Sequence, residues 1–257
     1  MKPDLNCPKT IETGRDVSVF EINNDQVMVV GCDSAGGIGP KPLDKVKVSG
    51  YTLGRFTARV ALMEVLAVGA APVCLTDTLG VEPNPTGFEI VKGIKKAVSL
   101  AQLDDSLPVI GSMEKTVIVE QTGIGITVVG LAPKNKLKIG LSEPEDLIVA
   151  VGKPKVKDEV LPAEKRGEIV DLTDLITLVD CGFVHEVVPV GSHGMLHEVK
   201  VLSQDSGLNY NLNLTENEEK KSAGPATAVL VSIPKNDLNH LLSIINKPTQ
   251  VIGSFCC

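Results

Sequence analysis

Val27 to Asp77 reads VMVVGCDSAGGIGPKPLDKVKVSGYTLGRFTARVALMEVLAVGAAPVCLTD, and the fold follows from it. An apolar, β-branched run ends at Asp33, a glycine-rich loop spans Ala35 to Lys41, a helix follows, and a second apolar run stops at Asp77. Short β-branched runs that each close on an aspartate predict strands delivering carboxylates to one rim of a sheet. Between them Leu53, Phe56, Val60, Met63, Ala67 and Ala70 recur at helical steps, until Gly69 and Pro72 stop the helix. From Val60 to Val68 only Glu64 is polar. An unpaired buried carboxylate costs roughly several kcal/mol, so a cation or donors are expected opposite it. The alternative is a solvated Glu at the edge of an amphipathic stripe.

The composition narrows the partners. The 257 residues are 43% hydrophobic, enough for one large core or two small ones, and the formal charge is −7. An acidic chain with no Trp and only two Tyr offers no basic, aromatic face for nucleic acid, nor an attraction to anionic lipid. The apolar runs are short for a membrane span and Met1 to Asp4 is no signal peptide, so a cytoplasmic protein is expected. The cysteines, Cys7, Cys32, Cys74, Cys181, Cys256 and Cys257, form no CxxC and no zinc spacing.

Strand and helix signals alternate along the whole chain, which places it in the α/β or α+β class. Strands are expected at Asp16–Ile22, Gln26–Cys32, Ala71–Thr76, Leu107–Gly111 and Gly123–Gly130. A helix over Gly87–Leu103 should bury Phe88, Val91, Ile94 and Val98. The lysines of Lys134 to Lys138 mark the best boundary, giving domains 1–138 and 139–257. In the second half, Gly191-Ser192-His193-Gly194 leads into a helix over Met195–Ser206 closed by Gly207.

Asp33, Asp77 and Glu114 each follow an apolar run, and with Glu64 they form a candidate cluster of acids at one sheet edge. Such a cluster repels itself unless a hard divalent cation sits within it, and Mg²⁺ commonly bridges carboxylates to nucleotide phosphates. Lys41 and Lys115 are candidate phosphate ligands, and Gly36, Gly37 and Gly39 could turn backbone N–H groups toward an anion. Gly191 and His193 could contact an anion or ribose at a helix start. Taken singly, each acid also fits a turn or helix cap, and His193 a turn residue. No GxxxxGK[ST], GxGxxG or GxSxG motif is present.

These residues resemble the aminoimidazole ribonucleotide (AIR) synthetase-related superfamily of ATP-using enzymes. The likeness rests on Val29-Val30-Gly31-Cys32-Asp33-Ser34, Gly39-Pro40-Lys41, Ala61 to Pro72, Leu75-Thr76-Asp77, Ile110 to Glu114, Val190 to Met195 and Val251-Ile252-Gly253. Met63-Glu64 stands where the family has Asn-Asp, and Ser112-Met113-Glu114 where it has Gly-Gly-Glu or Gly-Gly-Asp. The resemblance implies a dimerising N-terminal half-barrel domain and a C-terminal α/β domain closing over ATP. It also implies Mg²⁺ held by Asp33, Glu64, Asp77 and Glu114, with Asp33 and Lys41 catalytic. Among members the chain looks most similar to α-ribazole kinase. A thiamine-monophosphate-kinase-like enzyme, an ATP-driven dehydratase or synthetase, and a non-catalytic nucleotide-binding relative remain open.

Overall fold

A computed structural model describes residues 8–103 and 107–257; Cys7 and the Met1–Asp4 start lie outside the described residues. The first strands are β1 (Thr10–Ile11), β2 (Val17–Glu21) and β3 (Gln26–Gly36). The pair β4 (Ile38–Gly39) and β5 (Val46–Lys47) then precedes the long helix α1 (Gly50–Ala67). With β6 (Ala71–Leu79), α2 (Phe88–Leu100), β7 (Val109–Met113) and β8 (Gly123–Pro133) they build a six-stranded sheet in the order β1-β2-β3-β8-β6-β7. Only β6 and β7 run parallel within it.

Strand alternation sets the inner face of this sheet. Val27, Val29 and Gly31 on β3, and Ile124, Ile126 and Val128 on β8, are buried under α1. Gly31 admits the helix: a Cβ there would stand 3.0 Å from Val65 Cγ2. α1 and α2 cross at Gly54 and Gly93, where an added Cβ would fall 2.1 Å from the Ile90 carbonyl and 2.0 Å from the Tyr51 carbonyl. Ser49 caps α1 by accepting a hydrogen bond from Thr52 N–H.

The second half runs β9 (Leu147–Gly152), α3 (Val160–Lys165), α4 (Leu172–Asp180), β10 (Glu186–Pro189), α5 (Met195–Ser206) and β11 (Asn209–Leu212). α6 (Glu216–Lys220), β12 (Ala228–Ile233), α7 (Leu238–Ile244) and β13 (Thr249–Cys256) complete it. Its five strands are antiparallel in the order β10-β12-β9-β13-β11. β12 is buried along its whole length because helices cover both faces. Leu172, Leu175 and Leu178 of α4 share one core with α1, while Val199 and Leu202 of α5 pack on the opposite face. Gly207, with φ 71°, closes α5 as expected.

Arginines join the two halves. Arg59 on α1 is 2% exposed and donates to the carbonyls of Val170 (2.9 Å), Pro225 and Ala226 (3.3 Å). One turn earlier Arg55 makes a bidentate pair with Glu164 on α3, at 2.6 and 2.8 Å. Arg15, before β2, donates to Val187 O and Glu186 Oε1, both at 2.7 Å. Glu186 is fully buried and also accepts from Gly140 N–H, Ser142 N–H and Ser142 Oγ, so this interior carboxylate is well supplied with donors.

The structure departs from the sequence expectations in three places. β3 and β6 do not stop at their aspartates: β3 continues to Gly36 and β6 to Leu79. Asp33 and Asp77 therefore sit within strands, and both register with Ile126 of β8, so they share one row on the inner face rather than a rim. Phe88 is 53% exposed, since the buried stripe of α2 runs through Ile90, Ile94, Ala97 and Val98. Asn209–Leu212, where the polar sequence gives no strand expectation, is an edge strand held on β13 by backbone pairing.

Candidate functional site

A cavity of about 810 Å³ lies where β3, the loop after it and α1 meet the segments around Val156–Leu161 and Ser222–Ala226. That volume falls in the range of about 300–1,000 Å³ common for ligand sites. Asp33 and Glu64 both line it, and Asp16, Arg15, Lys157 and Ser192 are among its other polar groups. Val30, Val48, Leu53, Phe56, Val60 and Leu161 supply much of the apolar wall.

Glu64 reaches the cavity because α1 lies against β3 at Gly31. It is 8% exposed and has no hydrogen-bond partner among the described residues. Burial first, then the charges of Asp16 and Glu198, push its carboxyl well above the ordinary range, against a smaller opposing pull from Arg15. The cation or donors expected opposite it are absent among the described residues. Arg15 lines the same cavity, but its guanidinium is turned to Glu186 and Val187, with Nε 3.4 Å from Asp205 Oδ2 and lacking hydrogen-bond geometry there. Asp33 is raised to about 6, chiefly by burial, with a backbone donor at Ser34 opposing.

The other two acids stand apart. Asp77 is 3% exposed, is raised by burial, and leaves Oδ1 without a partner. It leans on β7, where a Cβ on Gly111 would meet its Oδ1 at 2.3 Å, and it does not line the cavity. Two strand spacings separate it from Asp33, roughly 10 Å. Glu114 accepts from Thr116 N–H and Thr116 Oγ1, both at 2.7 Å, and from Val117 N–H at 3.0 Å. Those bonds, the Thr116 hydroxyl first, hold it down to about 2, and it serves as the cap of its own loop. Of the four acids expected to converge, two line one cavity and two stand outside it. Among the described residues no three His, Cys, Asp or Glu side chains meet where a metal ion could sit.

The phosphate candidates are likewise engaged or remote. Lys41 Nζ donates to Glu82, whose other oxygen takes Thr86 Oγ1 at 2.6 Å. Burial would raise Glu82, but these donors outweigh it and leave it lowered. Gly37 N–H donates to Thr122 O at 2.9 Å, so it does not face an anion. Gly39 has φ +147°, and a Cβ there would fall 2.5 Å from Thr122 Oγ1 and 2.8 Å from Asp44 Oδ2. Gly39 is therefore required by the Asp44–Thr122 pair beside it, bonded through Oγ1 at 2.7 Å. Gly36 ends β3 with open space over it. Lys115 is exposed on the Glu114 loop and outside the cavity lining.

At the start of α5, Gly191 lines the cavity and donates its N–H to Glu198 Oε1 at 3.2 Å, so the anion at this helix start is the chain's own. Burial raises Glu198 to about 7, with the Gly191 bond opposing and Asp16 adding to the rise. His193 is exposed, its ring 4.9 Å from that of His197. Sequence reasoning missed Arg15, Asp16, Glu198 and the Ser222–Ala226 wall. The adjacent Arg15–Asp16 charges before a strand were the available signal; the wall's role arises from contacts more than a hundred residues apart in the chain.

An Mg²⁺ that bridges phosphates needs only one or two protein carboxylates, the remaining ligands being phosphate oxygens and water. Asp33 with the orphaned Glu64 fits that mode; a cage of four acids does not.

Residues 14–132 match the family described as AIR synthase related protein, N-terminal domain. Selenide, water dikinase of Burkholderia pseudomallei (strain K96243) is 22% identical over 210 residues, which are 77% of this chain and 56% of that protein. The chain thus spans about half the length of the curated relatives it matches. Among solved structures, T. maritima PurL complexed with ATP has a TM-score of 0.67 at 17% identity, covering 97% of this chain and 43% of that one. AaThiL complexed with AMPPCP and TMP has a TM-score of 0.64 at 15% identity, covering 95% and 85%. A HypE–HypF complex has a TM-score of 0.64 at 14% identity, covering 94% and 87%. Residues 14–132 are thus similar to the AIR synthase related N-terminal domain, and the chain shares the fold of these solved structures.

Proposed function

We propose that the chain is an ATP- and Mg²⁺-dependent phosphotransferase acting on a small molecule, with α-ribazole as the acceptor. The observation that carries this is the pair Asp33 and Glu64, two acids lining a ligand-sized cavity in which the lining arginine is already engaged. Neighbours of this fold complexed with ATP and with AMPPCP support the nucleotide. Asp33 and Glu64 would hold Mg²⁺, which when bound offsets negative charge on the phosphoryl group. Lys41 would leave Glu82 to reach a phosphate, and Ala35 and Ile38, flanking the glycines, would border the nucleotide. The apolar wall would exclude water from the transfer. In this reading residues 1–138 and 139–257 act as two domains of a cytoplasmic homodimer. The boundary falls between the last strand of one sheet at Pro133 and the first of the other at Leu147.

Incubation with ATP, Mg²⁺ and α-ribazole, followed by ADP detection and mass analysis, tests it. A phosphorylated riboside supports the proposal; no turnover with α-ribazole or thiamine monophosphate removes it. A second reading, nucleotide binding without transfer, draws on Lys41 and Glu114 both being engaged within the chain. AMPPCP binding with no product from any acceptor favours that one.

A further inference from the structure

Resting on the phosphotransferase reading, we propose that Lys157, from the second half of the chain, contacts the polyphosphate of the bound nucleotide. A magnesium-bound triphosphate keeps a net negative charge, and a lysine ammonium meets it as a point charge with three donors. The cationic side chains that line the cavity are Arg15 and Lys157. Arg15 is committed to Val187 and Glu186. Lys41 lies outside the lining and would first have to leave Glu82. Lys157 has no such exchange to make. Among the described residues no acid pairs with it, and Glu159, two residues on, lies 3.8 Å from Lys221 instead.

The backbone singles out the same residue. Lys157 has φ +51°, the left-handed region that a residue with a Cβ enters at a cost. Such conformations persist only where the surroundings fix them, and they gather at ligand clamps. Here the segment is held on both sides. Before it, Oγ1 of the fully buried Thr227 accepts from Lys155 N–H at 2.9 Å and lies 3.1 Å from Ala223 O. After it, Glu159 N–H donates to Val156 O at 3.1 Å, and its carboxylate accepts from Val156 N–H at 3.3 Å. Ala226, next to Thr227 and also in the lining, shares the left-handed shape at φ +50°, its carbonyl held by Arg59 at 3.3 Å. Among the described residues four without glycine's freedom have positive φ, and two of them stand in this one wall. The wall is thus built to present a fixed backbone and one uncommitted cation to what the cavity holds.

Calorimetric titration of the whole chain with AMPPCP in the presence of Mg²⁺ tests the assignment through three variants. Lys157→Met is expected to weaken binding about tenfold, the scale of one hydrogen bond to a charged group. Its affinity should also depend less on added NaCl than that of the unaltered chain. Lys157→Arg keeps the charge and is expected to bind AMPPCP more tightly than Lys157→Met does. Lys157→Gly suits the left-handed backbone, so it should lose AMPPCP affinity while keeping or raising the urea midpoint. Equal affinity of Lys157→Met and the unaltered chain overturns the proposal. An arginine variant as weak as the methionine one overturns it too, because the loss would then be one of shape. A lowered urea midpoint in Lys157→Gly also overturns it, by assigning the side chain to the fold. In each of these outcomes the unaltered chain still binds AMPPCP and the phosphotransferase reading stands. If that binding is itself absent, the nucleotide reading fails and the lysine assignment goes with it.

Discussion

Asp33 and Glu114 look alike in sequence, each an acid at the end of an apolar run, but their surroundings give them opposite chemistry. Asp33 faces a cavity and is raised to about 6 by burial, whereas Glu114 is held at about 2 by donors of its own loop. Asp33→Asn is expected to weaken Mg²⁺–AMPPCP binding by about tenfold or more, as losing a ligand charge should cost at least what outer-shell changes do. Glu114→Gln should leave that affinity unchanged, and calorimetry of the two variants side by side checks the contrast. Glu198 gives a pH effect. Its folded value of about 7 stands above the ordinary 4.5, so its contribution to stability is full below about 4.5 and lost as pH rises through about 7. The loss is on the order of 3 kcal/mol. Glu198→Gln should flatten the decline in urea stability between pH 5 and pH 8; an unchanged slope would show that other groups cause it.

At the level of elements, α1 does more than fill the core. It carries Glu64 on the side facing the cavity and the two arginines that reach into the second half of the chain. Removing Arg59 leaves buried carbonyls at Val170, Pro225 and Ala226 short of a donor, each costing about 1–3 kcal/mol. Arg59→Ala is expected to lower stability by about 3 kcal/mol or more. Arg55 and Glu164 are partly exposed, so Arg55→Ala should cost about 1 kcal/mol or less. Equilibrium urea unfolding of both variants checks the ranking, and equal losses would contradict it. The same helix shows why its existence was readable and its partners were not. Apolar spacing announces a helix, but nothing near Arg59 in the sequence names carbonyls more than a hundred positions away.

Among the described residues, no helix covers the outer face of the six-stranded sheet as α1 covers its inner face. Ile110 is 62% exposed and Val73 40% on its strands, and Ile118 is 94% exposed on the adjoining loop. The proposed homodimer would use this face, and sedimentation velocity is expected to give about twice the chain mass. Ile110→Lys should shift it toward monomer, because a charge buried in an apolar contact is costly. A monomer at high concentration in the unaltered protein would end that expectation. No helix of the described residues is long and apolar enough to cross a membrane.

The order of strands and helices, the α/β class and the family likeness were set by local signals: β-branched runs, helical spacing, Ser49 and Gly207 at helix ends. Period and capping act over a few residues, so a linear sequence displays them. Which acids meet was decided by tertiary structure. Strand pairing carried β3 and β6 past Asp33 and Asp77 and placed both on one inner row. Helix packing at Gly31 then brought Glu64 to the cavity that Asp33 lines, while Glu114 found donors within three residues of itself. Convergence depends on sheet register and on the angle at which a helix crosses it, and those follow from contacts between parts of the chain far apart in sequence.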